Sequence, residues 1–155
     1  MRLELGRATD RRPPFKYSAL TRVGFSDTDA QGIVYYGRYL PYFDLARTEY
    51  LRHLDLLGRR DESGREGEFV MRAIAIEYFA PARFDDTIEV FCRQSRIGRT
   101  SAAFECAAYR PEDDVLMVTA QQTVVYVDLA ERKACPIPDD YRQRIRAFEG
   151  ADVDA

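Results

Sequence analysis

The stretch SDTDAQGIVYYGRYLPYFDLARTEYLR, Ser26 to Arg52, decides how the rest of the chain is read. Its opening SDTDAQG is small and polar, with two aspartates and a glycine, which is the composition of a turn. From Tyr35 onward the pattern becomes helical. Leu40, Phe43, Arg47, Tyr50, Leu51 and Leu54 recur at spacings of three and four, with Ala46 beside them on one face. Leu57 extends that face and Gly58 supplies a stop. Pro41 falls inside this helix, which predicts a kinked or late first turn.

Working outward, residues 1–16 are polar, Arg-rich and contain Pro13-Pro14, and read as a flexible N-terminal arm. Tyr17 to Phe25 is rich in β-branched and aromatic residues and reads as a strand. Residues 58–68 form a charged, Gly-containing loop. Strands follow in series at 69–82, 86–98, 100–109 and 115–129. The first places Val70, Ile74, Ile76 and Tyr78 on one face; the second alternates Ile88, Val90 and Cys92 against Glu89 and Arg93. Such short spacing favours hairpin-linked, antiparallel pairing. Asp139 to Phe148 can form a terminal helix after Pro138, and 151–155 is a tail. The sum is a single α+β domain over 17–150, a curled antiparallel sheet of about five strands wrapped around one long central helix.

The net charge of −3 gives no nucleic-acid surface. Only Lys16 and Lys133 are lysines, so positive charge arrives mostly as planar guanidinium groups suited to carboxylate or phosphate. No apolar run is long enough to span a bilayer, and the N-terminus has no apolar core of a secretory signal. Cys92, Cys106 and Cys135 are odd in number and widely spaced; the first two sit in apolar stretches. Buried, reduced thiols in the cytoplasm are the expectation.

His53, the only histidine, reads as a boundary residue of the helix, so no Ser-His-Asp or Cys-His arrangement can be assembled within one chain. No zinc-ligand spacing, dinucleotide fingerprint or P-loop occurs, and no metal is expected. Chemistry here has to rest on carboxylates, tyrosines and backbone dipoles. A helix N-terminus carries unpaired N–H groups and about half a positive charge. Aimed at a carbonyl oxygen, those groups stabilise the oxyanion of acyl transfer. Asp27 and Asp29 lie just ahead of the helix, where a carboxylate can attack an acyl carbon or activate water, and Gly32 lets the backbone approach a ligand. The same residues serve equally as turn and cap, so spacing alone leaves both readings open.

The longer pattern resembles the signature of the 4-hydroxybenzoyl-CoA thioesterase family of hot-dog-fold acyl-CoA thioesterases. The shared positions of the motif D-x-D-x-x-G-x-V-Y and its aromatic helix are Asp27, Asp29, Gly32, Val34, Tyr35, Ala46 and Arg47. IEYFAPARFDDTIEV (76–90) and RIGRTSAAFE (96–105) resemble later strands and a turn of the family, so the likeness covers roughly residues 17–128. It implies a hot-dog fold and hydrolysis of an acyl- or aroyl-CoA thioester. Asp29 falls at the catalytic carboxylate, and the backbone N–H of Tyr36 at the donor to the thioester oxygen. The Tol–Pal-associated branch carries His where this chain has Tyr36, so the sequence leans toward the aryl-CoA branch.

Asp44 is placed where it can flank the acyl pocket and accept a bond from a substrate hydroxyl, or else sit solvated beside Arg47. Arg83, Arg96 and Arg99 are candidates for the CoA phosphates. Coenzyme A enters as part of the substrate, with no separate cofactor. The resemblance further implies a homo-oligomer, a dimer or tetramer, with the active site at the dimer interface. A thioesterase for carrier-protein-linked substrates and a non-catalytic acyl- or protein-binding module are the alternatives. The acyl specificity has no short motif.

Overall fold

A computed structural model describes residues 3–58, 64 and 67–155. Most of the charged loop expected at 58–68 lies outside the described residues. Among the described residues, seven strands make one sheet: β1 (Gly6–Arg12), β2 (Phe15–Arg22), β3 (Gly67–Tyr78), β4 (Thr87–Ile97), β5 (Ser101–Arg110), β6 (Val115–Asp128) and β7 (Lys133–Ala134). Their order is β1-β2-β4-β5-β6-β3, with β7 also pairing β6, and every pairing is antiparallel. Helix α1 (Tyr39–His53) packs on the sheet, and α2 (Asp139–Glu149) follows the last strand. The expected α+β class with a curled antiparallel sheet stands; the strand number and the length of the helix are corrected.

The extra strands escape a periodicity search because they bury little. Residues 6–12, expected as part of a flexible arm, form edge strand β1, paired through Gly6↔Ala19 and Ala8↔Tyr17. Its side chains are polar, so its attachment is electrostatic. Arg11 pairs with Glu89, and the Arg12 guanidinium lies 3.6 Å from the ring centre of Tyr109. Glu89, expected on the polar face of β4, is consequently buried, with the Ser18 hydroxyl donating to it at 2.6 Å.

Helix α1 is shorter than the sequence pattern at both ends. A 3-10 turn at Tyr36–Arg38 precedes it. Pro41 then falls in the first α-helical turn, where a missing N–H and a fixed φ are tolerated. At the other end the Asp55 N–H bonds the Arg52 carbonyl at 3.0 Å and the Leu56 N–H bonds the Leu51 carbonyl at 2.8 Å. With Asp55 at φ 56, this is a Schellman stop two residues after His53, before Leu57 and Gly58 are reached. The buried face is Tyr39, Tyr42, Phe43, Ala46, Glu49 and Tyr50, so Leu40 turns outward. Tyr50 meets Tyr17 and Phe104 edge to face, fixing the helix to β2 and β5. His53 lies exposed against the rings of Tyr17 and Phe148.

Strand β3 departs from simple alternation. A bulge between Met71 and Ala73 shifts the register, so Phe69, Met71, Ile74, Ile76 and Tyr78 pair with the inward residues of β6. Val70 therefore lies on the opposite face from Ile74, Ile76 and Tyr78, contrary to the sequence reading. Met71, Ile74 and Tyr78 face the side where α1 sits, yet remain exposed, because α1 does not reach the outer edge of β3. The three cysteines are free and buried. Among the described residues no helix is long and apolar enough to cross a membrane.

Candidate active site

The loop between β2 and α1 is built from two hydrogen-bonded turns. The first is a 3-10 turn at Phe25–Asp27, capped by the Asp27 side chain, whose Oδ2 accepts from the Gly24 amide at 2.9 Å. The same oxygen accepts from the Tyr42 hydroxyl at 2.7 Å, and Oδ1 accepts from Arg38 Nε at 2.8 Å. Partial burial pushes the Asp27 pKa up, but the bonds from Tyr42, Gly24 and Arg38 prevail and hold it below its ordinary value. Asp27 is thus the anchor between loop and helix, consistent with its reading as a turn and cap residue.

The second turn carries Asp29. Its N–H donates to the Ile33 carbonyl at 2.9 Å, and its carbonyl accepts from the Gly32 N–H at 3.0 Å. Gly32 closes this small hairpin at φ 78, a conformation that side-chain-bearing residues rarely adopt. Gly32 serves the shape of the turn; it does not line the cleft described below. Asp29 Oδ1 accepts from the Gln31 amide at 2.8 Å, which fixes the carboxylate. Its other oxygen meets no donor among the described residues.

Asp29 lines a cleft of about 380 Å³ together with Val34, Tyr36, Tyr39, Tyr78 and Pro81. The 3-10 turn leading into α1 opens onto this cleft. The Tyr35 carbonyl accepts from the Arg38 N–H at 2.8 Å, and the Tyr35 N–H donates to the Asp27 carbonyl at 2.9 Å. The Tyr36 and Gly37 amides find no acceptor among the described residues, as expected of the first turn of a helix. The Tyr36 ring is 64% exposed and lies against Tyr35, with ring centroids 4.4 Å apart. The neighbouring Tyr36 phenol raises the Tyr35 pKa. From β3, the Tyr78 hydroxyl donates to the Tyr36 carbonyl at 2.8 Å. Tyr39 accepts from the Ala82 N–H at 3.2 Å, tying the helix start to the loop after β3. Asp29, with one carboxylate oxygen meeting no donor among the described residues, and Tyr36, at the helix start, thus line one cleft, an arrangement able to attack and polarise a carbonyl.

The remaining candidates are not gathered there within one chain. Asp44 lies on the exposed side of α1 and accepts from Arg47 at 2.9 Å; Arg47 also donates to the buried Gln122 at 2.8 Å. Arg83 is exposed two residues beyond Pro81, and its backbone N–H donates to Asp86 Oδ2 at 2.9 Å. Arg96 and Arg99 sit at the far end of β4, about 30 Å along the strand from Arg83. There Arg96 donates to the Ser101 hydroxyl at 3.2 Å and the Arg99 carbonyl accepts from Ile137. A second cavity, about 440 Å³, lies at that same end, lined by Arg47, Leu51, Leu56, Phe69, Tyr126 and Tyr141. The sequence reading missed Tyr78 as a partner of Tyr36, because nothing local links residues 42 apart.

The sequence profile of the thioesterase-like superfamily matches residues 23–145. The acyl-CoA thioesterase YbgC of Haemophilus influenzae is 33% identical over 126 residues, covering 81% of this chain and 91% of the relative. A 1,4-dihydroxy-2-naphthoyl-CoA hydrolase of Synechocystis is 30% identical over 131 residues, covering 80% of this chain and 90% of the relative. Among solved structures, a 1,4-dihydroxy-2-naphthoyl-CoA thioesterase from Synechocystis superposes with a TM-score of 0.74 at 24% identity, over 83% of this chain and 93% of that one. A probable thioesterase from Bartonella henselae gives 0.69 at 30% identity, over 78% and 98%.

Proposed function

Because the chain belongs to the thioesterase-like superfamily, we propose that it is a thioester hydrolase cleaving an acyl- or aroyl-CoA thioester to the free acid and CoA. The observation that carries this reading is the shared cleft: it is lined by Asp29, one of whose oxygens meets no donor among the described residues, and by Tyr36, whose N–H meets no acceptor among them. The thioester carbonyl binds at the helix start, where the Tyr36 amide receives the negative charge that develops on oxygen. Asp29 either attacks the acyl carbon or takes a proton from an attacking water. In the first route the C–S bond breaks, CoA leaves as the thiolate and takes a proton from solvent, and water then hydrolyses the acyl-aspartyl anhydride. In the second, water adds directly and CoA leaves in the same way. Gly32 shapes the turn that delivers the carboxylate.

Within the superfamily we favour the 4-hydroxybenzoyl-CoA thioesterase branch, supported by the Asp27–Tyr35 motif and by a tyrosine at position 36. Relatives named for acyl and for aroyl substrates support keeping both substrate types open.

The working unit we propose is a two-fold dimer formed through β3, a candidate building block for a tetramer. Strand β3 is an edge with Met71, Ile74 and Tyr78 exposed on its inward side, the kind of surface that pairs with another strand. Antiparallel self-pairing sets the Gly67 end of one strand beside the Tyr78 end of the other. The cavity lined by Leu51, Phe69 and Tyr141 in the partner copy then faces the Asp29 cleft and receives the acyl group. Asp44, Arg96 and Arg99, which do not line the cleft of their own chain, act on the partner's substrate in this arrangement. Arg83, next in the chain to Phe84, whose exposed ring meets that of Phe25, binds a CoA phosphate in its own chain. Coenzyme A comes and goes with the substrate, so the reaction uses no separate cofactor. The cytoplasm is the compartment that suits three free thiols.

The test is a hydrolysis screen over short-chain, long-chain and aromatic CoA esters and the same acyl groups on an acyl carrier protein. Release of CoA thiol from at least one CoA ester is expected. Hydrolysis of carrier-linked chains alone, or tight CoA-ester binding without turnover, contradicts the reading.

A further inference from the structure

The amides of Tyr36 and Gly37, without an acceptor among the described residues, belong to two peptide units, and each unit has its carbonyl held. The Tyr35 carbonyl, in the unit that presents the Tyr36 N–H, accepts from the Arg38 N–H at 2.8 Å. This is the ordinary bond of a helical turn. The Tyr36 carbonyl, in the unit that presents the Gly37 N–H, accepts from a side chain, the Tyr78 hydroxyl, also at 2.8 Å. A hydrogen bond to a carbonyl polarises the amide on its other side, making that N–H a stronger donor. It also fixes the plane of the peptide, so the donor need not reorient as charge develops.

We propose that Tyr78 is a positioning residue for the oxyanion donors, its hydroxyl holding and polarising the Tyr36–Gly37 peptide unit so that the Gly37 N–H joins the Tyr36 N–H on the thioester carbonyl. The inference rests on the thioesterase reading above.

Three observations support it. The Tyr78 ring is fixed independently of its hydroxyl, packing edge to face on the buried Tyr39 at 5.8 Å between centroids. The phenol stays protonated, and so remains a donor, because burial and the neighbouring Tyr36 both raise its pKa. Tyr78 also lines the same cleft as Asp29 and Tyr36, so its effect falls on the carbonyl that Asp29 attacks. Strand β3 thereby reaches across to the loop before α1 and holds the first peptide units of the helix in place.

Tyr78→Phe keeps the ring and removes only the donor. With a CoA ester that the wild type hydrolyses, kcat is expected to fall about tenfold, less than the 10²–10³ lost when an oxyanion donor itself is removed. KM is expected to stay within about twofold, since the polarised amide acts on developing charge and little on the ground state. A second readout separates positioning from general destabilisation. In an Asp29→Asn background that holds an aroyl-CoA bound, adding Tyr78→Phe is expected to move the thioester carbonyl stretch to higher wavenumber. Unchanged kcat, a loss carried wholly by KM, or an unmoved carbonyl band overturns the inference while leaving the thioesterase reading intact. A wild type inert toward every CoA ester removes the reading and this inference with it.

Discussion

The Tyr42 hydroxyl donates a 2.7 Å hydrogen bond to Oδ2 of Asp27, joining the first turn of α1 to the loop that carries Asp29. Through this bond and the one from Arg38, the carboxylate and the helix-start amides are held as one unit. Tyr42→Phe removes a donor to a charged group and is expected to cost about 1.5–3 kcal/mol. The cost depends on pH with a definite sign. Asp27 has its folded-state pKa depressed below its ordinary 3.8, so its contribution is present above that value and lost as pH falls through the lowered one. Urea unfolding at a series of pH values is expected to show the wild-type advantage over Tyr42→Phe at neutral pH and its loss in acid.

Gly32 tests the shape of the Asp29 turn. At φ 78 an alanine is forced into left-handed backbone, at a cost of about 1–2 kcal/mol. Among the described residues nothing lies within 4 Å of where the alanine methyl group would stand, so the cost is conformational and no clash contributes. Gly32→Ala is expected to lower thermal stability and to lower kcat by moving Asp29; Gly32→Asn, which tolerates that backbone better, is expected to retain more of both.

Glu149 reports on the opposite end of the molecule. It is fully buried at the end of α2, accepting from the Tyr50 hydroxyl at 2.7 Å and the Gln94 N–H at 2.9 Å. Burial raises its pKa above the ordinary 4.5 despite those bonds and the charges of Lys16 and Arg93. A raised carboxyl favours the folded state at low pH, and that contribution is lost as pH rises through the folded pKa. Glu149→Gln keeps an acceptor without the charge. Its stability relative to wild type is expected to improve as pH rises from about 4 toward neutrality in urea melts, and a constant difference contradicts the assignment.

The dimer is tested at Ile74, which is exposed on the inward side of β3. Ile74→Arg places a charge in the proposed seam and is expected to shift the light-scattering mass from two or more chains to one, with loss of hydrolysis. A wild-type mass of one chain contradicts the interface.

How much was legible in the sequence follows from where each signal lies. The five strands β2 to β6 and helix α1 announce themselves through the apolar periodicity of their sequences, in β3 even though Met71, Ile74 and Tyr78 stay exposed. Strand β1 does not, since Arg11 and Arg12 attach it through Glu89 and Tyr109, residues distant in the chain. The β3 bulge is equally silent, because an extra residue changes the face of Val70 without changing composition. At the site, Asp29 and Tyr36 were reached through the family motif, and Asp27 as a turn residue through local chemistry. The bond from Tyr78 to Tyr36 was out of reach, as was the absence of Asp44, Arg96 and Arg99 from the lining of the Asp29 cleft. Those depend on how strands and helix meet, and no short spacing encodes that.

The central claim is that the Asp29 carboxylate performs or activates the attack on a thioester. The direct measurement is steady-state release of CoA thiol by wild type and by Asp29→Ala, with circular dichroism showing both folded. A fall in kcat of at least about 10³-fold is predicted for Asp29→Ala, while turnover at the wild-type rate contradicts the claim.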